Sequence, residues 1–428
     1  MERCAIGLVG WGTVGGGVVE ILARDRALFH DRCGLDLQLK TIVTKTPSRR
    51  RDQAATGARV SDRLEDLTGD PEIRTVIHLV GGIDEATRIC RALLEAGKNV
   101  ITANKAMLAM RGDELFALAA AKGVCIAFEA AVAGGIPVIA ALRDGLVANH
   151  IDGIAAILNG TCNFILTSME SRGVGYAEAL AEAQRLGYAE ADPTLDVDGT
   201  DTAHKLAILA RIAFNGRIPL TGIRVEGIQS ITFDDIRSAR TMGARIKLLA
   251  VAQRRDQGLE LRVAPTLVPL DHPLASVNAN FNGIVIQGSA VKTLLLVGPG
   301  AGALPTASAV LADLVDVVTG RYQFTASRFR FFRSDADVPL VPEAEELTSS
   351  YARFTVPDRA GVLAGIASTL GNHGVSVLSV YQGAPDPSGS AVIEATTHPQ
   401  RGGAFLSAIE AIDRAGLTIK PTVVLRRL

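Results

Sequence analysis

The sequence predicts an α/β protein with three parts: a Rossmann-type doubly wound sheet, an α+β domain, and a C-terminal ferredoxin-like domain. Three observations lead to this prediction. A strand, a glycine-rich turn and a helix come first, strands and helices then alternate as far as residue 128, and a βαββαβ pattern occupies residues 351–425. With 428 residues, the chain has room for two to three domains.

Composition argues against several classes of function. The formal net charge of −1 gives no footprint for nucleic acid or for an anionic membrane surface. The sequence has no run of about 18 apolar residues and no signal-peptide pattern, so no membrane span is expected. Five scattered cysteines indicate buried thiols in a reducing cytoplasm, and not a disulfide framework or a zinc site.

The glycine-rich turn after the first strand predicts a dinucleotide site. A short apolar run (CAIGLV) precedes GWGTVG, and a helical pattern from Val18 to Leu28 follows. Gly10 permits a tight turn, Gly12 lets backbone N–H groups approach a pyrophosphate, and Gly15 lets helix and strand pack closely. The alternative is a glycine-rich turn in another kind of α/β protein.

The residues after the second strand favour NADP over NAD. NAD enzymes usually place an acid there for the ribose hydroxyls, but the strand at 35–43 is followed by TKTPSRRR. Cations and hydroxyls at this point suit a 2′-phosphate, and Lys45, Arg49 and Arg50 are the candidates for the contact. The sequence leaves open which of them makes it, and whether the stretch is instead a solvated basic loop.

Two polar loops follow later strands of the predicted sheet. The elements alternate as strand Thr75–Val80, helix 84–96, strand Asn99–Thr102, helix 112–121 and strand Val124–Phe128. In the first loop, TANK, Thr102 and Lys105 would face the ligand crevice at the carboxyl edge of the sheet. The second loop, EAAVAGGIP at 129–137, is small enough for its carbonyls to approach an ion. A solvent-exposed Lys105 and a hinge between domains are the alternatives.

An acidic stretch at residues 187–206, GYAEADPTLDVDGTDTAHKL, holds more buriable charge than any other part of the chain. The triplet at 198–200 predicts a helix start, which places Asp201 and Lys205 four residues apart on one face. A carboxylate can orient an ammonium group in that arrangement. The apolar helix that follows predicts burial, whereas the alternative is a solvated loop with a surface ion pair.

The middle of the chain mixes strands and helices. The predicted elements are a strand at 151–158, a helix that carries Asn163, a helix at 234–250 and a small-residue helix at 306–318. The glycine loop before the last of these, Gly298–Ala303, is a second helix start suited to an anion, and it would return the chain to the nucleotide domain. The loop 272–283 has no assigned role.

Domain boundaries follow from these elements. The predicted ranges are 1–133 for an NAD(P)-binding domain completed by 303–330, 134–302 for the α+β domain, 331–348 for a linker, and 349–428 for the ferredoxin-like domain. The last domain holds no acid–base constellation, so it is interpreted as a binding or association module.

Several motifs resemble those of the homoserine dehydrogenase family over nearly the whole chain. They are GWGTVGGGV at 10–18, TANK at 102–105, EAAVAGGIP at 129–137, NGTCNFIL at 159–166, the acidic stretch at 187–206, VEGI, DDI and IKLLA within 225–250, and GPGAGALPTASAV at 298–310. The acidic stretch is the most specific of them. The C-terminal domain resembles an ACT domain, the amino-acid-sensing fold often appended to this family. The family resemblance implies a substrate-binding, catalytic and dimerisation role for 134–302 and a regulatory role for 349–428.

This resemblance implies reversible, NAD(P)H-dependent reduction of L-aspartate 4-semialdehyde to L-homoserine, in threonine, methionine and isoleucine biosynthesis. Lys205 would donate a proton to the aldehyde oxygen, and Asp201 would orient it. Lys105 would lie between nicotinamide and substrate. The residues implied to bind the amino acid are Glu190, chiefly through its ammonium group, Asp196 and Tyr188.

The resemblance also implies the remaining ligand contacts. Together with the contacts inferred from the turn itself, the dinucleotide residues are Gly10, Gly12, Thr13, Val14, Gly15, Lys45, Arg49, Thr102, Lys105 and Gly302. A sodium-like ion would be bound by the backbone of Glu129, Val132, Gly134 and Ile136. NADP is the favoured cofactor, with NAD as the alternative. No catalytic metal is required, because a lysine can supply the proton.

The ACT-like tail implies regulation or assembly. Inhibition by L-threonine and plain oligomerisation are the two hypotheses, and a homodimer or homotetramer is expected. The sequence departs from the usual patterns at two points. Trp11 stands where a smaller apolar residue is common, and Ala360 stands where the ACT turn usually has a proline before Gly361.

Two other functions compete with this interpretation. An aspartate-semialdehyde dehydrogenase needs a nucleophilic cysteine paired with a histidine. Cys162 is the one cysteine in a plausible loop, and no histidine is evidently placed with it. A nucleotide-sensing regulator with a degenerate site is the second alternative, and the Asp201 and Lys205 pair argues against it.

Overall fold

A computed structural model describes residues 2–47, 57–328, 336–385, 387 and 389–428. The chain forms two compact units, each discontinuous in sequence. Unit 1 comprises Met1–Ile151, Asp201–Thr221 and Phe281–Val338, and unit 2 comprises Asp152–Thr200, Gly222–Asn280 and Pro339–Leu428.

The described strands, in chain order, are β1 (Glu2–Val9), β2 (Leu35–Val43), β3 (Arg59–Ser61), β4 (Thr75–His78), β5 (Asn99–Thr102), β6 (Ile126–Ala127), β7 (Ile151–Ile157), β8 (Arg224–Val225), β9 (Ala244–Arg255), β10 (Gly258–Pro269), β11 (Phe281–Gly288), β12 (Lys292–Pro299), β13 (Leu347–Thr348), β14 (Ser350–Pro357), β15 (Val377–Gln382), β16 (Ser390–Thr397), β17 (Gln400–Arg401) and β18 (Val423–Arg427).

The described helices are α1 (Thr13–Arg24), α2 (Arg26–Cys33), α3 (Glu65–Thr68), α4 (Asp84–Glu95), α5 (Lys105–Lys122), α6 (Val138–Ala140), α7 (Gly160–Arg172), α8 (Tyr176–Arg185), α9 (Thr194–Val197), α10 (Thr200–Phe214), α11 (Phe233–Thr241), α12 (Ala303–Val318), α13 (Arg321–Arg328), α14 (Val362–Asn372) and α15 (Gly402–Arg414). Short 3₁₀ turns and one π-helical turn at Ala141–Gly145 supplement them.

Unit 1 is built on a six-stranded sheet in the order β3-β2-β1-β4-β5-β6. All its described pairings are parallel, which confirms the predicted Rossmann-type sheet. The central strands are apolar on both faces because helices cover both: Leu8 and Ile77 on one face and Val76 on the other are fully buried. This sheet positions the dinucleotide turn at the carboxyl end of β1.

Helix α12 packs against α1 within unit 1. A Cβ atom at Gly17 would lie 2.6 Å from the carbonyl oxygen of Ala303, so only glycine permits this approach. On α12, Ala307, Val310 and Leu314 are buried in the same core as the central strands. The small-residue helix after the glycine loop therefore packs on the first helix of the nucleotide fold.

Unit 2 contains a sheet in the order β7-β9-β10-β18-β14-β16-β15. Strand β18 pairs in parallel with β10 and antiparallel with β14, so one sheet runs through the C-terminal ferredoxin-like part and the strands before it. Helices α14 and α15 cover a separate core that includes Phe354, Ile366, Ile393 and Phe405. This confirms the predicted βαββαβ domain.

The predicted helix at 234–250 is wrong in its second half. Helix α11 ends at Thr241, Gly243 adopts a left-handed φ of +68°, and β9 begins at Ala244. An apolar run of that length fits a buried strand as well as a helix, and twelve residues of β10 pair with it here. The last strand of the predicted βαββαβ pattern is β18, which begins at Val423, two residues after Pro421, a residue that cannot donate a ladder hydrogen bond.

The helix predicted from Val18 to Leu28 is also wrong in its bounds, since α1 starts at Thr13 and the helix is interrupted at Asp25, before α2.

Within unit 2, the segment that begins at Pro339 is bound to β10: Leu259 N–H donates to Pro339 O at 2.8 Å. Among the described residues, no single helix has the length and apolarity to cross a membrane. The bent pair α12 and α13 passes that test only jointly, by length and composition.

Candidate active site

The turn after β1 forms an open cradle in unit 1. Gly12 is the N-cap of α1, and no described side chain caps that helix start. A Cβ atom at Gly12 would meet no described atom within 4 Å, whereas a Cβ at Gly15 would lie 2.4 Å from the carbonyl oxygen of Gly10. Space over Gly12 and an uncapped helix start that includes Thr13 and Val14 fit a pyrophosphate.

A cavity of about 380 Å³ adjoins this cradle. Its lining includes the turn residues and, at the end of β2, Thr44 and Lys45. The Lys45 ammonium group pairs with the Glu85 carboxylate, and Arg88 also lines the cavity. The predicted phosphate contact Arg49 lies outside the described residues. The described lining of the cavity therefore includes two cationic side chains, Lys45 and Arg88, near the expected position of the adenosine ribose.

Asn104 fixes the start of α5, and with it the position of Lys105. The Asn104 side chain accepts a hydrogen bond from Met107 N–H at 2.9 Å and donates to Val80 O at 2.9 Å. Thr102, buried at the end of β5, accepts from Asn104 N–H at 3.2 Å. The TANK motif is thus a strand end followed by a helix cap, and Lys105 is the first helical residue.

Two lysines share one carboxylate at the centre of the site. Lys205 Nζ lies 2.7 Å from Asp201 Oδ2, and Lys105 Nζ lies 3.0 Å from Asp201 Oδ1. The side chains are 10% exposed for Asp201, 12% for Lys205 and 41% for Lys105. Burial alone would raise the pKa of Asp201, but the two ammonium groups outweigh it and hold that pKa well below its usual range. The cluster is a fixed anion between two cations.

Asp196 belongs to α9 and contacts the start of α7 within unit 2. Asn159 caps this helix by accepting from Cys162 N–H at 2.8 Å, and its Nδ2 donates to Asp196 Oδ1 at 2.8 Å. The Cys162 thiol donates to Asp196 O at 3.2 Å. The positive end of the helix dipole and one amide therefore stabilise the Asp196 carboxylate.

Glu190 and Tyr188 lie on the same stretch of unit 2. Both are exposed. The chain carrying them is held by its backbone: Thr161 Oγ1 donates to Tyr188 O at 2.6 Å, and Gln184 Nε2 donates to Glu190 O at 3.2 Å. The Tyr188 ring lies 5.0 Å from that of Phe164. Carboxylate and phenol are thus presented on a fixed backbone.

The loop after β6 has an unusual backbone. Ala133 and Gly134 adopt consecutive left-handed φ values of +57° and +54°. The Glu129 carboxylate accepts from the N–H groups of Ile139 at 2.8 Å and Ala140 at 2.7 Å. Burial nevertheless raises the pKa of Glu129 to about 7. The side chain of Glu129 is committed to the start of α6, so an ion here would depend on backbone carbonyls, which such a turn can direct to one point.

Sequence reasoning gave no role to Lys247 or to the asparagines of NGTCN. Lys247 is a fully buried lysine in unit 2, and Asn163 contacts it. The available signal was a charged residue within the apolar run IKLLA, because lysine is almost never fully buried unless it is paired.

A parallel sheet in the Rossmann order, with a glycine cradle open at the carboxyl end of β1, is the arrangement of dinucleotide-dependent oxidoreductases. The chain falls within that class of enzymes.

Comparisons with known proteins narrow the class. The family model for homoserine dehydrogenase matches residues 137–315, the model for the homoserine dehydrogenase NAD-binding domain matches 10–129, and the ACT-domain model matches 350–415. A homoserine dehydrogenase of Pseudomonas aeruginosa is 43% identical over 96% of each chain. The chain therefore belongs to the homoserine dehydrogenase family.

Solved structures agree. The crystal structure of a homoserine dehydrogenase from Thiobacillus denitrificans is 40% identical, covers 100% of this chain and 99% of its own, and has a TM-score of 0.92. A hyperthermophilic archaeal homoserine dehydrogenase mutant in complex with NADPH is 26% identical, covers 74% of this chain and 98% of its own, and has a TM-score of 0.63. The domain that binds a nicotinamide cofactor is thus present here, followed by an ACT domain.

Proposed function

We propose that the chain catalyses the reversible NAD(P)H-dependent reduction of L-aspartate 4-semialdehyde to L-homoserine, within threonine, methionine and isoleucine biosynthesis. The observation that carries this proposal is the cluster in which Lys105 and Lys205 share the Asp201 carboxylate at 3.0 Å and 2.7 Å. Reduction of an aldehyde builds negative charge on its oxygen, and a buried, oriented ammonium group is suited to neutralise that charge.

The role of each residue follows from this need. Lys205, at 12% exposure the more buried of the two lysines, donates a proton from Nζ to the aldehyde oxygen. Asp201 remains ionised and holds Lys205 in position. Lys105 adds a second positive charge to the cluster, beside nicotinamide and substrate. The dinucleotide, when bound, supplies the hydride.

Glu190, Asp196 and Tyr188 are proposed to bind the amino acid, with Glu190 taking the ammonium group. Support comes from the backbone bonds that hold Tyr188 and Glu190 and from the amide bond between Asn159 and Asp196. A zwitterionic substrate requires carboxylates for its ammonium group, and a fixed backbone lowers the entropy lost on binding.

NADP is the proposed cofactor, and NAD remains the alternative. The cradle residues are Gly10, Gly12, Thr13, Val14 and Gly15, with Thr102, Lys105 and Gly302 as further contacts. Lys45 and Arg49 are proposed for the 2′-phosphate. The archaeal relative solved with NADPH supports the same preference. A monovalent, sodium-like cation is proposed on the backbone of Glu129, Val132, Gly134 and Ile136.

The ACT domain is proposed to bind L-threonine and inhibit the enzyme, with plain oligomerisation as the alternative role. Gly361 adopts a left-handed φ of +92° at the start of α14, so the turn forms although Ala360 replaces the usual proline. A homodimer or homotetramer in the cytoplasm is proposed. The proposed domain ranges remain 1–133 with 303–330, 134–302, 331–348 and 349–428.

Oxidation of NADPH in the presence of L-aspartate 4-semialdehyde tests the reaction. We expect turnover by the wild type and a loss of more than about a hundredfold in kcat for Lys205→Met, because that variant lacks the proton donor. Lys122→Met, at the exposed end of α5, is the matched control and should retain full activity. No turnover with either NADPH or NADH would rule out the reaction, and a fully active Lys205→Met would move the proton to Lys105 or to water.

A further inference from the structure

Lys247 is the most deeply buried cationic side chain among the described residues, and sequence reasoning gave it no role. It lies on β9 in unit 2 and is 1% exposed. Its Nζ donates to Asn163 Oδ1 at 3.0 Å, to Val277 O at 2.7 Å and to Asn278 Oδ1 at 3.2 Å. An ammonium group has three N–H donors, so these three neutral acceptors use all of them.

These bonds attach the loop after β10 to helix α7. Asn163 belongs to α7 and also donates from Nδ2 to Val277 O at 3.1 Å. Two residues before Lys247 on the same strand, Arg245 donates to Ala275 O at 2.8 Å and binds Glu170 of α7 at 3.0 Å. The loop 272–280, which the sequence left without a role, is thus held on α7 by two cations of β9.

The held end of the loop lies at the first residue of α7. A Cβ atom at Gly160 would be 2.6 Å from Asn280 O, so the loop touches the backbone of that helix start. Ala279 adopts a left-handed φ of +56°, a conformation that needs support from its surroundings. The same helix start carries Asn159, the amide partner of Asp196 at 2.8 Å.

We propose that Lys247 is a positioning residue for the amino-acid substrate: by holding the loop 272–280 on the start of α7, it fixes the Asn159 and Asp196 pair that binds the substrate. This inference rests on the proposed role of Asp196. Lys247 does not touch substrate itself, and it acts through Asn163 and the loop. It therefore affects recognition of the amino acid and not the transfer of hydride.

The protonation of Lys247 links this role to pH. Burial and, to a smaller extent, the charge of Arg245 lower the pKa of Lys247, Glu170 opposes them, and the resulting pKa is about 8. Arg240 of α11 binds Glu170 at 2.8 Å, and the loop HPLASVNAN contributes His272 as its only titratable side chain. A neutral amine has two N–H donors for three acceptors, so one of the three bonds that hold the loop and α7 together is lost as the pH rises through about 8.

Steady-state kinetics with L-homoserine and NADP test the inference. Lys247→Met keeps the side-chain length and removes every donor, and we expect the KM for L-homoserine to rise by about tenfold or more. The kcat and the KM for the dinucleotide should stay within about twofold, because uniform binding of one substrate is what is lost. The exposed Lys420→Met is the matched control and should match the wild type.

A second variant distinguishes positioning from a merely structural role. Asn163→Asp places a carboxylate on the ammonium group and raises the pKa of Lys247, so the rise in the KM for L-homoserine near pH 8 should move to higher pH. The substrate amine titrates equally in all variants. An unchanged KM in Lys247→Met, equal losses in kcat and both KM values, or a pH limb that does not move in Asn163→Asp overturns the inference.

If Lys247→Met does not fold, the test rests on Asn163→Asp alone, through the pH at which its KM for L-homoserine rises. Absence of turnover in the wild type overturns the proposed reaction and this inference together. If the wild type turns over and the KM for L-homoserine and its pH dependence are the same in the variants as in the wild type, only the inference is overturned.

Discussion

Asp201 shows how one carboxylate can organise two cations. It is nearly buried, and a buried charge without partners is costly. Two ammonium groups at 2.7 Å and 3.0 Å supply more than the compensation it needs, and the pKa of Asp201 falls as a result. The cluster has a net charge of +1 at any pH where both lysines are protonated and Asp201 is ionised.

The substitution Asp201→Asn tests whether the ionised Asp201 carboxylate is stabilised by the two ammonium groups. A folded-state pKa below the unfolded value of about 3.9 means that ionised Asp201 adds stability above that pH. The stability is lost as the pH falls through the folded-state pKa. We expect the melting temperature of the wild type to exceed that of Asp201→Asn at pH 7 and the gap to narrow below about pH 4. The exposed Asp152→Asn is the control, and a gap independent of pH would contradict the argument.

Part of this cluster was predictable from the sequence. The spacing of Asp201 and Lys205 places them on one helical face, and the structure has them in contact. The contact between Asp201 and Lys105 joins residues far apart in sequence, and only the packing of α5 against α10 decides it. The bonds of Lys247 likewise depend on a loop whose path no local pattern specifies.

At the scale of an element, the glycine turn separates stability from binding. Gly12→Ala adds a methyl group where no described atom lies within 4 Å, so we expect an unchanged melting temperature. The methyl would occupy the cradle, and the KM for the dinucleotide should rise by about tenfold or more. Gly15→Ala is the matched variant, because its Cβ would lie 2.4 Å from Gly10 O and should lower the melting temperature. Equal melting temperatures for the two variants would show that the helix start can shift.

Local sequence patterns predicted most of the helices and strands. They failed where one pattern is compatible with both a helix and a strand. The βα rhythm and the βαββαβ tail are confirmed, since strand and helix periods differ along them. The run of β9, Ala244–Arg255, is mostly apolar with no clear period, and its strand conformation is set by twelve partners on β10. Tertiary pairing overrides periodicity in such a run.

At the scale of the molecule, the ACT domain is joined to the rest of unit 2 by buried charge. The carboxylates of Glu343 and Glu346 pair with Arg426 of β18 and also with Arg224 of β8, which belongs to the rest of unit 2. Both Arg426 and Glu346 are buried. Burial and the neighbouring charge of Arg224 lower the pKa of Arg426, Glu343 opposes them, and the resulting pKa is about 10. An intact buried ion pair contributes little to the free energy of folding, but removal of one partner leaves an uncompensated buried charge and destabilises the fold.

Glu346→Gln should therefore destabilise the attachment of this domain. Removal of one partner from a buried pair costs about 3–5 kcal/mol. We expect a lower urea midpoint for the variant and faster proteolysis near residue 340, measured beside the exposed-pair control Glu410→Gln. An unchanged midpoint would show that Glu343 alone compensates Arg426.

Strand β18 lies in the middle of its sheet, between β10 and β14. Because a ribosome synthesises the chain from the N-terminus, β10 and β14 emerge before β18. Until β18 is made, the edge of each strand that pairs with it remains unpaired. Pairings between residues so distant in sequence form slowly, and open strand edges attract other chains. Translation that stops before Val423 would leave both edges unpaired, and such products should depend on chaperones or be degraded.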